Sequence, residues 1–204
     1  MAVLAACFIL NLFGRGLADT YAVFLLPLER EFGWTRSELT GVYSIYLLVN
    51  GLSAPLVGLL FDRLGPRWVY GAGMTCLGVA FFLAQRLENL WQFYLFVGVL
   101  IGFAVSLNGM VPSSALLSRW YRARLSTAIG IAFSAIGVGT VIFVPLAQVL
   151  VSQYDWRFAY RALGVTLLLL VPVVLFAIPW RTFAAGPADY QARSKLAGAG
   201  EGWT

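Results

Sequence analysis

The first apolar run of the sequence carries three polar residues spaced four apart, namely Asn11, Arg15 and Asp19. On a helix this spacing places them along one face. Arg15 lies ~18 Å along such a helix from Val3, near the middle of a ~30 Å hydrocarbon layer. A lone charge there costs about 2.5–3.5 kcal/mol, so such residues normally face a cavity and pair. The pattern predicts either a site that binds a charged solute or a proton, or a purely structural Arg15–Asp19 pair.

A second cluster of charge separates two apolar runs at GLLFDRLGPRW, residues 58–68. Its distinctive residues are Gly58, Asp62, Arg63, Gly65 and Arg67. Gly65 permits a reversal of the chain, and Pro66 suits the first position of the helix that follows. Arg63 and Arg67 favour the cytoplasmic side of a membrane. Asp62 is placed to meet the N-terminus of another helix, where a negative charge gains ~0.3–1 kcal/mol.

The composition indicates that lipid is the main solvent of this chain. Hydrophobic residues make up 60% of the 204 residues and charged residues 11%, and the mean hydropathy is +0.82. A soluble domain carries about 25% charged residues, which is far more than this sequence has for a wetted surface. Although the net charge is +5, no Lys/Arg-rich run offers a surface for nucleic acid. The expected partner is the lipid bilayer.

The residue types on which most enzymes and metal sites depend are scarce. The chain has no histidine, and its two cysteines, Cys7 and Cys76, lie inside apolar runs without a metal-ligating neighbour. These facts exclude a histidine-based active site, a haem with histidine ligands and a His-rich metal site. We therefore predict no enzyme activity, no metal site and no cofactor.

Six segments are long and apolar enough to cross a bilayer as helices, which need about 20 residues. They cover residues 3–28, 40–60, 68–85, 90–117, 125–152 and 160–179, and a polar, Gly/Ala-rich tail of residues 181–204 follows. With the N-terminus in the cytoplasm, more Lys and Arg fall in cytoplasmic loops than in outer loops, as the positive-inside rule requires. We predict an all-α, multi-pass protein of the plasma (inner) membrane with both termini and the tail in the cytoplasm.

A short pattern, W-x-R-x-x-L, occurs at residues 34–39 and again 86 residues later at 120–125. Each copy is followed by an apolar helix with a late Pro-Leu pair, at Pro55 and Pro145. Three helices separate the copies, so that one faces outward and the other inward. Coincidence is the alternative for so short a match. The pattern favours an inverted repeat of three plus three helices, which is common in secondary transporters.

The spacing G-x-x-x-D-R-x-G-x-R of residues 58–67 resembles the signature loop of the major facilitator superfamily. Flanking sequences at 23–36 (VFLLPLEREFGWTR), 119–130 (RWYRARLSTAIG) and 155–157 (DWR) look like the branch that contains monocarboxylate transporters and oxalate/formate antiporters. The resemblance covers residues 5–180. It implies the N-terminal half of a twelve-helix fold, and secondary transport of a small organic solute, a carboxylate anion, by alternating access.

The resemblance also implies roles for individual residues. Helices 1 and 4 line the central cavity in the family, and a proton or counter-anion accompanies the small-molecule substrate. The substrate or coupling candidates are then Arg15, Asp19, Asn11, Asn108 and Tyr21. The cytoplasmic gate, which meets the other half of the fold, is implied to consist of Gly58, Asp62, Arg63, Gly65 and Arg67.

Three features of the sequence depart from the family. Val97 stands where many facilitators carry an arginine in helix 4, and Asp19 stands where animal monocarboxylate transporters carry a lysine. A negative charge does not replace that cation. With six helices instead of twelve, the chain needs a C-terminal half or a second copy, or else it is a truncated fragment that does not transport. An aquaporin-like channel is not indicated, because the sequence contains no Asn-Pro-Ala.

Overall fold

The computed structural model describes residues 2–121 and 124–186. These residues form helices that we number in chain order: α1 (Ala2–Phe32), α2 (Arg36–Leu64), α3 (Pro66–Ala84), α4 (Leu90–Trp120), α5 (Leu125–Gln153), α6 (Trp156–Ala177) and α7 (Trp180–Ala185). Helices α1 to α6 are each long and apolar enough to cross a membrane. The described part of the chain contains no strand. The predicted all-α fold with six transmembrane helices is confirmed.

Two helices begin earlier than hydropathy predicts, because side chains cap their first turns. Helix α2 begins at Arg36 and not at residue 40, since Thr35 and Glu38 form a capping box in which the Thr35 N–H donates to the Glu38 carboxylate at 2.9 Å. Helix α6 begins at Trp156 and not at residue 160, since the Asp155 carboxylate accepts from the Trp156 N–H at 2.7 Å. The polar residues of these first turns, which hydropathy assigns to loops, therefore belong to the helices.

Helix α1 contains a tightened turn at the level of its charged residues. Its two regular segments, Ala2–Ala18 and Tyr21–Phe32, are joined by Asp19 and Thr20. The N–H of Thr20 donates to the carbonyl of Leu17 at 3.1 Å, and the Thr20 hydroxyl donates to the same carbonyl at 2.7 Å. These bonds satisfy backbone groups that lipid cannot satisfy. The helix can therefore change direction within the membrane without exposing its backbone.

Helix α4 is irregular as well. A short α-helical turn leads into a π-helical segment, Tyr94–Ile101, and two further α-helical segments, Gly102–Asn108 and Met110–Trp120, meet at Gly109. Gly109 has a φ of −92° and a ψ of −140°, which end one segment before the next begins. Segments of π-helix inside a longer helix often mark functional positions. The first and fourth helices are thus both interrupted.

Three of the most extensive helix contacts are related by the symmetry of an inverted repeat. Helix α1 packs along α5, α2 packs along α4, and α3 packs along α6. An inverted repeat exchanges α1 with α4, α2 with α5, and α3 with α6. This exchange turns the α1–α5 pair into the α4–α2 pair, and it leaves the α3–α6 pair unchanged. The fold therefore has the three-plus-three arrangement that the repeated tryptophan pattern predicts.

Close contacts of glycine repeat this symmetry between α1–α5 and α4–α2. A Cβ atom built on Gly16 would lie 2.7 Å from the Cα of Gly139, and one built on Gly102 would lie 3.2 Å from the Cβ of Val49. Gly102 follows Gly16 by 86 residues, the offset of the tryptophan pattern, and Gly139 follows Val49 by 90 residues, the offset of the two Pro-Leu pairs. Small residues allow the helix backbones to approach closely in both halves of the repeat.

The α3–α6 contact lies where the symmetry axis requires it. A Cβ atom built on Gly164 would lie 3.1 Å from the carbonyl oxygen of Gly78 and 2.8 Å from the backbone nitrogen of Phe82. Gly164 follows Gly78 by 86 residues, so the two glycines are each other's counterparts in the repeat. Two positions that are equivalent under the inverted repeat can contact each other only close to its symmetry axis.

The residues after α6 fold back onto the bundle. Trp180 and Phe183 of α7 are buried, and the Trp180 ring stacks on Tyr70 of α3 with centroids 5.5 Å apart. The Arg119 guanidinium donates to the carbonyl of Ala184 at 3.0 Å. Residues 181–185, predicted as the start of a polar tail, therefore continue a short helix, because average polarity hides the aromatic anchor Phe183. Residues 187–204 of that predicted tail lie outside the described residues.

Helices α2 and α5 form the open side of the bundle. Only 17% of the apolar stretch of α2 and 22% of that of α5 is buried, compared with 50% for α1 and α4 and 56% for α3. Large apolar side chains on these two helices, such as Leu52 and Val141, are 72% and 75% exposed. Lipid or another protein surface must cover this side, since water would not solvate it.

Gly139→Ala should destabilise the bundle, because the added methyl group would lie 2.7 Å from the carbonyl oxygen of Leu12 and 2.9 Å from the Cα of Gly16. Such overpacking costs about 1–3 kcal/mol, which tryptophan fluorescence during thermal unfolding in detergent would show as a lower transition temperature. Gly137→Ala on the same helix is the matched control, since nothing lies within 4 Å of its Cβ position. Equal stability of the two variants would contradict the close α1–α5 contact.

Candidate functional site

Arg15 and Asp19 form an ion pair on α1, with the Nε of Arg15 3.9 Å from the Oδ1 of Asp19. Their side chains are 27% and 25% exposed, so the pair lies at the edge of open space and not inside closed packing. The second oxygen of Asp19 accepts a hydrogen bond from the Thr140 hydroxyl of α5 at 3.2 Å. The Arg15 guanidinium lies 6.0 Å from the ring centroid of Tyr46 in α2. The pair is therefore held between α2 and α5.

A cavity of about 540 Å³ opens beside this pair. Its lining residues come from four helices: Arg15, Asp19, Tyr21, Ala22 and Leu25 of α1, Thr40 and Tyr43 of α2, Met110 of α4, and Ile136 and Thr140 of α5. Asp19 occupies the tightened turn of α1, and Met110 directly follows the interruption of α4 at Gly109. The two irregular helices thus reach the cavity at their interruptions, which is where secondary transporters bind solutes and ions.

Stacked tyrosines form one wall of the cavity. The rings of Tyr21 and Tyr43 have centroids 5.6 Å apart, and those of Tyr43 and Tyr46 are 5.4 Å apart. The Tyr21 hydroxyl donates to the carbonyl of Leu39, which fixes the ring against α2. This tyrosine wall reaches the cavity through Tyr21 and Tyr43, which line it together with Arg15 and Asp19, while Tyr46 is buried against Tyr43.

Asn11 lies away from the cavity, in the interface between α1, α3 and α4. It is fully buried, and its amide nitrogen donates to the carbonyl of Cys7 at 2.8 Å and to the hydroxyl of Ser113 at 2.9 Å. The Ser113 hydroxyl also lies 3.1 Å from the hydroxyl of Tyr70. The amide therefore joins three helices through a buried network, one helical turn before Arg15.

Asn108 is likewise packed between helices. It is 1% exposed, its amide nitrogen donates to the carbonyl of Ala104 at 2.9 Å, and its Cβ lies 2.8 Å from the position of a Cβ built on Gly14. Its amide oxygen has no hydrogen-bond partner within residues 2–121 and 124–186. Of the five candidates from the sequence, the structure brings Arg15, Asp19 and Tyr21 together on the cavity and leaves the two asparagines outside it.

Sequence reasoning missed three residues of the site: Thr140, Tyr43 and Tyr46. Thr140 offered a signal, because it is a polar residue within the long apolar run of α5. Val97, which replaces the arginine of many facilitators, lies behind the tyrosine wall and is 3% exposed. Its surroundings are apolar and aromatic, so the described structure places no cation in this part of α4.

The gate motif forms the reversal between α2 and α3. Gly65 adopts a φ of +79°, which favours glycine, and its N–H donates to the carbonyl of Phe61 at 3.0 Å. Pro66 is the first residue of α3. Asp62 and Arg63 are exposed, and Asp62 forms no ion pair with any residue the structure describes. Its carboxylate is thus available to a partner outside this bundle.

The two remaining motif residues pack against neighbouring helices. A Cβ built on Gly58 would lie 3.8 Å from the Cγ1 of Val111, so α2 approaches α4 at this point. The guanidinium of Arg67 lies 5.6 Å from the ring centroid of Trp68 and 5.3 Å from that of Phe176 in α6. Arg67 therefore fastens the start of α3 to the end of α6, at ordinary cation–π distances.

Comparison with known proteins gives a consistent picture. The sequence matches the family model of the Major Facilitator Superfamily over residues 4–203. It is 33% identical to monocarboxylate transporter 3 of Rattus norvegicus over 166 residues, which are 81% of this chain and 34% of that protein. It is 32% identical to monocarboxylate transporter 4 of Gallus gallus over 82% of this chain and 35% of that protein. It is 29% identical to monocarboxylate transporter 12 of Mus musculus over 79% of this chain and 33% of that protein. The chain therefore spans about a third of the length of these relatives.

Asn11→Leu should lower stability, because it keeps the branched shape of the side chain but removes both hydrogen bonds of a buried amide. The bond to Ser113 joins α1 to α4, and an interhelical hydrogen bond in a membrane contributes about 0.5–2 kcal/mol, so the transition temperature of thermal unfolding in detergent should fall measurably. Gln148→Leu is the matched control, since Gln148 is an exposed amide on α5. A variant at position 11 that is as stable as this control would contradict a structural role for Asn11.

Proposed function

Because the chain belongs to the Major Facilitator Superfamily, we propose that it is the six-helix N-terminal half of a secondary active transporter. Membership of this family and similarity to monocarboxylate transporters indicate a transporter and not an enzyme. The proposed cargo is a small organic solute that carries a carboxylate, moved by alternating access. The observation that carries this proposal is the cavity of about 540 Å³ at the interruption of α1, with Arg15 and Asp19 at its edge.

Arg15 supplies the cation that a carboxylate requires. Its guanidinium can donate charge-assisted hydrogen bonds to two oxygens of a carboxylate at once. Asp19 provides a carboxylate one helical turn away, held by Thr140. A substrate that binds Arg15 competes with Asp19 for the guanidinium. Once Asp19 is released from the ion pair, its carboxylate can exchange a proton or respond to a counter-anion. Binding would thereby be linked to the coupled ion.

The open side formed by α2 and α5 is proposed to receive the other half of the transporter. These two helices flank the cavity and are the least buried of the bundle. A C-terminal six-helix half, or a second copy of this chain, would cover their apolar side chains and close the cavity from the second side. Alternating access then consists of rocking one half against the other around the central site.

Asp62 is proposed to act in the cytoplasmic gate. It is exposed at the end of α2, without an ion pair in the described structure, and a helix N-terminus of the other half would attract its charge. Arg67 holds the start of α3 in place through Trp68 and Phe176. The contact of Asp62 would keep the cytoplasmic side closed and would break when that side opens.

Uptake of labelled lactate, oxalate or formate into proteoliposomes tests the proposed transport. We would measure it with the chain alone and with the complex that a tag on this chain purifies from its own membranes. We expect uptake that falls at least about tenfold in Arg15→Gln, because a hydrogen bond to a charged group contributes ~1.5–3 kcal/mol. Arg86→Gln, an exposed loop arginine, is the control. Normal uptake by both Arg15→Gln and Asp19→Asn, or no uptake by any preparation, would contradict the proposal.

Asp62→Asn should reduce uptake several-fold and leave membrane insertion unchanged, because it removes the charge but keeps the shape of the gate residue. The helix N-terminus interaction contributes ~0.3–1 kcal/mol, or more where it is partly buried. Uptake and the yield of inserted protein would be measured on the same samples. If transport by Asp62→Asn equals that of the unchanged chain, the motif serves only as a turn and a topological anchor.

We also propose that both termini lie in the cytoplasm of a cell whose plasma membrane the chain spans. Asp62→Cys and Glu88→Cys, in a chain with Cys7 and Cys76 changed to alanine, test this orientation. Acidic residues contribute little to the positive-inside rule, so neither change should alter the topology. A membrane-impermeant maleimide should label position 88 in intact cells and position 62 only in inverted vesicles. The opposite labelling would place the termini outside.

A further inference from the structure

Both ions of the Arg15–Asp19 pair are incompletely paired. The Nε of Arg15 has no hydrogen-bond partner within the described residues, and its contact with the Oδ1 of Asp19 is as long as 3.9 Å. The Thr140 hydroxyl occupies only the other oxygen of Asp19. Both side chains line the cavity, with 27% and 25% of their surfaces exposed, so each ion presents part of its charge to the cavity, one positive and one negative. A ligand that carries one negative and one positive charge can pair with both of them.

The cavity as a whole is electrically balanced. Arg15 and Asp19 are the only charged residues among its lining residues in the described structure. A simple monoanion placed beside Arg15 would also lie close to Asp19, so that repulsion by the carboxylate offsets much of the attraction by the guanidinium. A solute whose carboxylate faces Arg15 and whose cationic group faces Asp19 is attracted at both ends. Such a solute also carries no net charge through the low-dielectric membrane.

The tyrosine wall favours a cation on the side of the cavity that Asp19 lines. Tyr21 and Tyr43 line the cavity together with Asp19, and an aromatic face attracts an ammonium or similar cation. Arg15 itself lies over Tyr46, which does not line the cavity, so Tyr21 and Tyr43 are the rings that a ligand in the cavity can contact. A carboxylate has no comparable attraction to these rings, because their faces are negative.

We infer that the cavity selects small zwitterions, which carry a carboxylate and a cationic group, over simple monocarboxylates. Arg15 binds the carboxylate of the solute, and Asp19 with the tyrosine wall binds its cation. This inference rests on the proposed transport function and specifies its substrate class. It also gives Asp19 a direct role in binding the solute, in addition to the proton exchange proposed above.

Three solutes with one carbon skeleton separate these possibilities: alanine (both charges), lactate (carboxylate only) and alaninol (ammonium only). Their binding would be measured by scintillation proximity with the full chain in nanodiscs, and their uptake with the complex purified from its own membranes. We expect alanine to bind at least about tenfold more tightly than either analogue, since each loses one charged hydrogen bond. Asp19→Asn should shift the preference toward lactate, and Arg15→Gln should shift it toward alaninol.

Glu88→Gln and Arg86→Gln remove the same charges from an exposed loop and should leave the preference for alanine unchanged. Lactate binding that equals or exceeds alanine binding, or a preference that Asp19→Asn does not alter, would overturn the inference and leave the proposed carboxylate transport intact. Absence of binding and uptake for all three solutes and for oxalate and formate, with correctly inserted protein, would overturn both. Loss of alanine preference in Glu88→Gln as well would assign the effect to general surface charge and also overturn the inference.

Discussion

The structure depends on the cost of placing two charges within a helix that spans a membrane. Arg15 and Asp19 lie within an apolar helix, where neither lipid nor a regular helix would compensate them. They are compensated by each other at 3.9 Å, by Thr140 of α5 and by the ring of Tyr46 in α2. Helices α1, α2 and α5 must therefore keep a fixed register. The same incomplete compensation that makes the pair costly leaves it free to bind a solute.

The rest of the fold supplies that register. Helix backbones approach each other at glycines, and the contact of Gly16 with Gly139 holds α1 against α5 one helical turn from Asp19. The equivalent contact of Gly102 holds α4 against α2. Because the two contacts are related by the inverted repeat, the interruptions of α1 and α4 come to the same cavity from opposite halves. Secondary transporters that are built on inverted repeats carry their solute sites at such an interface between the repeats.

Much of this fold was predictable from the sequence, because six long apolar runs leave helices as the only structures that satisfy the backbone in lipid. Arg15 and Asp19 were predictable because a charged side chain within such an apolar run is costly and normally faces a cavity. Asn11 carried an equal signal, but its amide nitrogen is occupied by bonds to Cys7 and Ser113, which depends on the packing of three helices. Tyr43 gave no signal, since an aromatic residue costs little in a membrane. Only the register of α2 against α1 decides that it faces the cavity.

The central claim is that the space around Arg15 and Asp19 is an aqueous solute cavity and not a lipid-covered surface. Cysteine accessibility in native membranes tests it most directly, with Ile136→Cys on the cavity wall and Val138→Cys on the outward side of the same helix, 42% exposed. A water-soluble thiosulfonate should modify position 136 rapidly, a bound carboxylate solute should slow that reaction, and position 138 should stay unmodified. Equal reactivity at the two positions, or no reaction at position 136, would contradict the claim.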